Sequence, residues 1–268
     1  MSPARHEGAY TIDVALDYRI EQPTSILLAI EVLEDGEQTL AGEELSINGA
    51  VQAPSPRSSG PARYRWIEAA AGDLSIRYRA EARVARDLAE LNTLPLTPYA
   101  ALPPEVAPWL FASRHCDPTR FERILADEMN LPAGWVADGS TIALIGDWIK
   151  GHLSYEPVST AETTATDTYI ARAGVCRDYA HLMIALARAA GVPARFVSSY
   201  AYQLDPPDFH AVAEVWMAGR WHMVDATGLA PEHSLVRIAR VSDAVDASFM
   251  TIFGSAEMLA QRVTVSRL

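Results

Sequence analysis

Residues 208–227 read Asp208-Phe209-His210-Ala211-Val212-Ala213-Glu214-Val215-Trp216-Met217-Ala218-Gly219-Arg220-Trp221-His222-Met223-Val224-Asp225-Ala226-Thr227, and their pairing decides how the second half of the chain folds. Two alternating runs flank Ala218-Gly219, which reads as the two-residue turn of a hairpin. With that turn, Met217 faces Arg220, Trp216 faces Trp221, Val212 faces Asp225 and His210 faces Thr227. Strand side chains alternate with a period of two, so His210, Val212, Asp225 and Thr227 share one face of the ladder. His210 and Asp225 become diagonal neighbours, within reach of an imidazole–carboxylate hydrogen bond. Glu214 shares that face as a polar contact, Trp216 and Trp221 pack there, and His222 points the other way. A three-residue turn would put His210 and Asp225 on opposite faces, so the reading depends on an even-length loop.

Upstream, Gly174-Val175-Cys176-Arg177-Asp178-Tyr179-Ala180 opens a helix that carries Leu182, Met183, Leu186 and Ala190 and stops at Gly191, with Pro193 beyond it. Cys176 sits at the mouth of this helix, where unpaired N–H groups and the helix dipole favour a thiolate. A thiolate nucleophile needs a base, usually histidine, and an orienter for that base. His210 and Asp225 supply both. The neighbouring polar residues read more plainly. His181, five residues after Cys176, lies roughly 140° around the helix from it and packs or caps. Asp178 and Asp205 are solvated or capping, and Cys116, beside His115, is a structural thiol. The backbone N–H of Cys176 is the natural first donor to an oxyanion, with Tyr155 or Tyr169 as the second.

Outward from this segment the chain changes character. The first third is β: Tyr10–Ile20 and Asp73–Ala85 alternate, Ser25–Leu33 is a more buried strand, and Glu44–Val51 and Ala62–Ile67 bracket a loop, Ala53–Pro61. These strands make an antiparallel sheet or small sandwich. Asn92–Pro108 contains Pro95, Pro98, Pro103, Pro104 and Pro108, which disfavour helix and ladder alike. This sets a boundary near residue 105, between an N-terminal β-rich unit (1–105) and a second unit (106–268). Helical patterning then begins, with Asp117-Pro118 ahead of Phe121, Ile124 and Leu125, and Asp138 or Ser140 capping Thr141–Leu153. Ala194–Tyr202, Ala211–Met217 and Arg220–Ala226 are strands.

Composition narrows the function classes. The 268 residues are 49% hydrophobic and 21% charged, which excludes disorder as the main description. The net charge of −12 argues against nucleic acid and anionic membrane surfaces as partners. No apolar run approaches the ~18 residues of a membrane helix, and Met1–Tyr10 does not read as a secretory signal, so the expected compartment is the cytoplasm. The two cysteines, Cys116 and Cys176, cannot build a Cys₄ zinc site. Lys150 is the sole lysine, so the chain is a poor target for amine-consuming crosslinking of itself.

Gly-Val-Cys-Arg-Asp-Tyr-Ala-His at 174–181, Phe-His-Ala-Val-Ala-Glu-Val-Trp at 209–216 and Trp-His-Met-Val-Asp-Ala-Thr at 221–227 together resemble the transglutaminase-like superfamily, a papain-type cysteine enzyme fold. Ser113-Arg114-His115-Cys116 is similar to the start of the bacterial members' catalytic domain, and the β-rich first third is similar to the region that precedes it, so the resemblance covers nearly the whole chain. It implies an α+β protein: an antiparallel β domain followed by a papain-like core of helices on an antiparallel sheet. It implies Cys176 as nucleophile, His210 as base and acid and Asp225 as orienter, with no metal or organic cofactor; no carboxylate-rich loop resembles the metal sites of the calcium-dependent animal enzymes. The expected chemistry is acyl transfer on peptide or protein amides through a thioester on Cys176, discharged by water as in a cysteine peptidase or amidase. A protein-glutamine transglutaminase and a non-catalytic peptide-binding module of the same fold are the alternatives. Oligomeric state is not set by the sequence.

Overall fold

Alternation of apolar and polar residues turns the two longest N-terminal segments into half-buried strands. In the computed structural model, which describes residues 5–52, 60–132 and 135–268, β1 (Arg5–Ile20) buries Tyr10, Ile12, Val14, Leu16, Tyr18 and Ile20. β2 (Thr24–Leu28), β3 (Gln38–Asn48), β4 (Ala50–Gln52) and β5 (Arg65–Ala69) follow, and β6 (Gly72–Asp87) buries Leu74, Ile76, Tyr78, Ala80, Ala82 and Val84. β2 is shorter than its apolar run, because beyond Ala29 the backbone leaves the sheet and Leu33 N–H donates to Arg237 O. The strand expected from Glu44 begins earlier and breaks at Gly49, whose φ of +89° suits glycine. Most of the Ala53–Pro61 loop lies outside the described residues.

A run of short 3₁₀ turns crosses the proline-rich stretch to α1 (Glu122–Glu128) and α2 (Gly139–His152). Asp138 caps α2 by accepting from Thr141 N–H at 3.1 Å, and Ile142, Ile145, Trp148 and Ile149 form its buried stripe. Then come β7 (Ser154–Tyr155), α3 (Ala165–Ala171), β8 (Ala173–Gly174), α4 (Cys176–Ala189), β9 (Ala194–Ala201), β10 (Phe209–Met217), β11 (Arg220–Val224), β12 (Leu235–Val241), β13 (Met250–Phe253) and β14 (Ala256–Arg267).

Among the described residues three four-stranded antiparallel sheets result, ordered β14-β1-β6-β3, β13-β2-β5-β4 and β11-β10-β9-β12. The inward residues of the first two share one apolar core, a sandwich that also takes in Tyr200, Val236 and Ile238 from the third. The same face of the third sheet, farther along through Ala211, Ala213 and Val215, packs on α4. Because α4 is covered by α1, α2, α3 and the sheet, its side chains from Asp178 to Arg188 are all buried. Each fully buried aliphatic such as Leu182 or Leu186 contributes roughly 1.5–3 kcal/mol, so the helix start is held rigidly. A division at residue 105 groups β13 and β14 with the helical unit, yet both are bonded into the sandwich, β14 along β1 from Tyr10 to Ile20. Both ends of the chain therefore build the β-rich layer.

Candidate active site

The N-terminus of α4 is built by a buried aspartate. Asp178 is fully buried, and its Oδ2 accepts from Val175 N–H at 2.8 Å, closing the first turn so that Cys176 becomes the first helical residue. Ser159 Oγ also donates to this carboxylate, and Arg177 Nη2 bonds Ser159 Oγ at 2.9 Å and Thr160 O at 2.8 Å. A side chain at Gly174 would place its Cβ 2.7 Å from Asp178 Cβ, so the cap requires glycine there. Asp178 is therefore a cap and not a solvated charge.

β7 pairs in parallel with β8, setting Tyr155 opposite Gly174, two residues before the thiol. The Tyr155 hydroxyl interacts with the backbone amide and thiol of Cys176; burial first, and then the charge on Cys176, raise its pKa above the ordinary tyrosine value. Tyr169 is turned away, donating to Glu128 Oε1 at 2.7 Å beneath the Arg172 guanidinium.

The hairpin has the even loop on which the sequence reading depends. Ala218 and Gly219 have φ of 49° and 79°, a left-handed pair, and Trp216 faces Trp221 and Met217 faces Arg220. The ladder ends at the pair Ala213 and Val224, so Asp225 lies just past β11 and not within it. Local bonds hold it in place of the ladder: Oδ1 accepts from Thr227 N–H at 3.0 Å and Thr227 Oγ1 at 2.6 Å, and Oδ2 accepts from Ala230 N–H at 3.1 Å. Asp225 N–H donates to Glu232 Oε1 at 2.9 Å.

Asp225 Oδ2 lies 2.9 Å from His210 Nε2, and both side chains are at most 2% exposed. The other ring nitrogen, Nδ1, is buried with no hydrogen-bond partner among the described residues, and Cys176 is the group besides Asp225 that acts on the ring. Burial alone would lower the His210 pKa. The hydrogen bond to Asp225 and the interactions with Cys176 and the Asp225 charge outweigh it, raising the value to about 9. Burial likewise opposes ionisation of Asp225, but His210 and Thr227 together hold its pKa below the ordinary value.

The remaining titratable groups are occupied elsewhere. Glu214, on the His210 face as expected, is fully buried between Arg195 and Arg237; burial would raise its carboxyl, and the two arginines instead hold it at about 2. His222 bonds Met217 O from the other face at 3.1 Å. Arg195 lies 3.9 Å over the Trp221 ring, and Trp216 meets Trp221 edge-on, so these tryptophans pack. Cys116 is fully buried, and burial pushes its thiol up to about 12. His181 accepts from Ala244 N–H at 3.1 Å and stacks on His115 at 5.1 Å; burial, then His115, push it down to about 3.

Cys176 and His210 open onto a cleft of about 620 Å³. Its rim carries Arg114, Arg177 and Asp208, and one wall is made by residues between Ala244 and Ile252, with Gln261 of β14. Sequence reasoning did not find this wall, because it comes from the sandwich and its loop and carries no nucleophile, base or periodic signal. Among the described residues no group of three or more His, Cys, Asp or Glu is arranged to hold a metal ion, and no helix is long and apolar enough to cross a membrane.

Comparison with known proteins finds relatives of the chain. The sequence model of the transglutaminase-like superfamily matches residues 132–226, the segment that contains Cys176, His210 and Asp225. A protein from Cytophaga hutchinsonii, described as a candidate cysteine protease, has a similar crystal structure: TM-score 0.90 and 31% identity, covering 99% of this chain and 93% of that one. The uncharacterized Mycobacterium leprae protein ML0607 is 30% identical over 84 residues, 28% of this chain; the chain thus spans only 30% of that curated relative's length. The periplasmic domain of TgpA from Pseudomonas aeruginosa is similar at 17% identity and TM-score 0.40, over 83% of this chain and 90% of that domain.

Proposed function

The chain belongs to the transglutaminase-like superfamily, and within it we propose a cysteine-dependent hydrolase of peptide or protein amide bonds that works through a thioester on Cys176. The observation that carries this reading is the His210 imidazole, bonded through Nε2 to Asp225 and left with Nδ1 for the Cys176 thiol. Asp225 holds the Nε2–H tautomer, so Nδ1 is the basic nitrogen. With its pKa raised to about 9, His210 already holds the thiol proton on Nδ1 at neutral pH, and the Cys176 thiolate attacks the amide carbon. The oxyanion meets the Cys176 N–H, which the helix does not use, and the Tyr155 hydroxyl. The Nδ1 proton then passes to the departing amine, the C–N bond breaks and the thioester remains. A water gives a proton to Nδ1 and attacks the thioester; collapse releases the acid and restores the thiol.

Water discharges the thioester in this reading because it is present at roughly 55 M, so an amine must be bound and positioned to compete. The Cytophaga relative, described as a candidate protease, supports the same direction. The test is mass spectrometry of casein incubated with the enzyme and millimolar dansylcadaverine. Cleaved or deamidated products, absent with Cys176→Ala, are the expected result. A dominant amine adduct would replace this reading with the transglutaminase, and absence of any Cys176-dependent product would replace it with the peptide-binding module.

A further inference from the structure

The wall opposite the catalytic residues has a main-chain geometry that the reaction does not use. Ser248, Phe249, Met250, Thr251 and Ile252 all line the cleft. Successive strand residues point to opposite faces, so a strand turning a face to a groove contributes every second residue. Consecutive residues of both parities mean that an edge is presented. β13 is such an edge, paired with β2 on one side and terminal in its sheet.

The register says which groups this edge carries. Ala29 N–H donates to Phe249 O at 3.0 Å, which makes Phe249 and Ala29 a hydrogen-bonded pair. The period of two makes Thr251 with Leu27, and Phe253 with Ser25, the next bonded pairs. The N–H and C=O of Met250 and Ile252 therefore point away from β2. Ser248 Oγ donates to Met250 O at 2.8 Å; the Met250 N–H and both main-chain groups of Ile252 have no partner among the described residues. The Met250 side chain is sunk in the sandwich core, so the edge is anchored. It also abuts the catalytic strand: the rings of Phe249 and Phe209, the latter next to His210, stack at 4.7 Å and 8°.

An unpaired, anchored strand edge that opens onto a nucleophile is a template for main chain. We infer that the free edge of β13, at Met250 and Ile252, receives the acyl donor as an added β-strand, so that the substrate class is extended polypeptide and not a folded surface or a free small amide. This rests on Cys176 as nucleophile, and the experiment separates the two.

An acetyl-Cys-Thr-Val-Thr-Val-amide peptide, activated as its 2-thiopyridyl disulfide, is reacted with the full-length protein. The Cys176 thiolate displaces pyridine-2-thione and forms the mixed disulfide, while Cys116 is shielded by burial. Tethering supplies the millimolar effective concentration that an unoptimised peptide needs. Amide hydrogen exchange is compared with a cysteamine-capped control. The Ile252 amide should exchange about tenfold more slowly in the peptide adduct. Equal Ile252 rates in two fully formed adducts would overturn the edge proposal and leave the nucleophile standing. Failure of Cys176 to react selectively would overturn the nucleophile and the edge proposal with it. In parallel, Ile252→Pro removes the outward N–H without taking a bond from β2, a substitution that edge strands accept. It should raise KM for casein about tenfold with kcat little changed. A folded Ile252→Pro protein with unchanged KM would also refute the proposal.

Discussion

Replacing Asp225 with asparagine reverses the hydrogen-bond logic of the site while barely changing its shape. The asparagine oxygen still accepts from Thr227, but Oδ2, which accepts from both His210 Nε2 and Ala230 N–H, becomes an NH₂ donor. Nε2 must then accept, so the imidazole proton moves to Nδ1 and faces the Cys176 thiol. A base already protonated where it must accept is the wrong tautomer, for which a loss of about 10⁴ in kcat is the precedent in serine proteases. We expect kcat/KM on casein to fall about 10³–10⁴-fold, or roughly 4–5.5 kcal/mol of barrier. Asp225→Ala, which leaves the ring free to choose its tautomer, should retain more activity. Loss of the carboxylate should also lower the His210 pKa from about 9 by roughly 1–3 units, since an adjacent opposite charge is worth that much. The pH dependence of Cys176 alkylation by iodoacetamide reads this directly. The stability difference between the two proteins has a defined window. The folded-state pKa of His210 is raised from 6.5, so its contribution is full below about 6.5 and lost as pH rises through about 9. The pKa of Asp225 is lowered from 3.8, so its contribution fades below that value. An Asp225→Asn enzyme within tenfold of wild type, with an unshifted alkylation profile, would refute the tautomer argument.

Cys116→Ser should leave turnover on casein intact while Cys176→Ser abolishes it, because the Cys116 thiol is held near 12 by burial; loss of activity with the first substitution alone would identify the other thiol. Tyr155→Phe should lower kcat about 10–100-fold with little change in KM, as expected for a donor that acts only on the oxyanion, and steady-state kinetics would show it. His181 is neutral and buried with its pKa lowered from 6.5 to about 3, so its contribution to stability is full above 6.5 and declines as pH falls below that toward 3. His181→Gln, which keeps an acceptor for Ala244 N–H but cannot be protonated, should shift the acid-unfolding midpoint downward, measured by circular dichroism against pH.

Much of the second half of this chain is legible as local chemistry. Ala218-Gly219 specifies a two-residue turn through its left-handed backbone, and with it the register that sends His210 and Asp225 to one side. The Gly174 start and the Gly191 stop of α4 are equally local, as are the Asp138 cap of α2 and its buried stripe. Other features depend on contacts that sequence spacing does not encode. Asp225 lies beyond the end of its strand, and its orientation comes from Thr227, Ala230 and Glu232. Tyr155 and Tyr169 are alike in the sequence, and only the parallel pairing of β7 with β8 distinguishes the one beside Cys176 from the one bound to Glu128. Nothing local in the last forty residues shows where they pair, yet β13 and β14 return to the sandwich and supply the far wall of the cleft. Turns, caps and alternation are set within a few residues, so the sequence alone determined the helix that begins at Cys176 and the hairpin that carries His210 toward Asp225. Pairing between strands more than two hundred residues apart depends on how the whole chain closes its core, so only the tertiary structure decided what stands opposite Cys176.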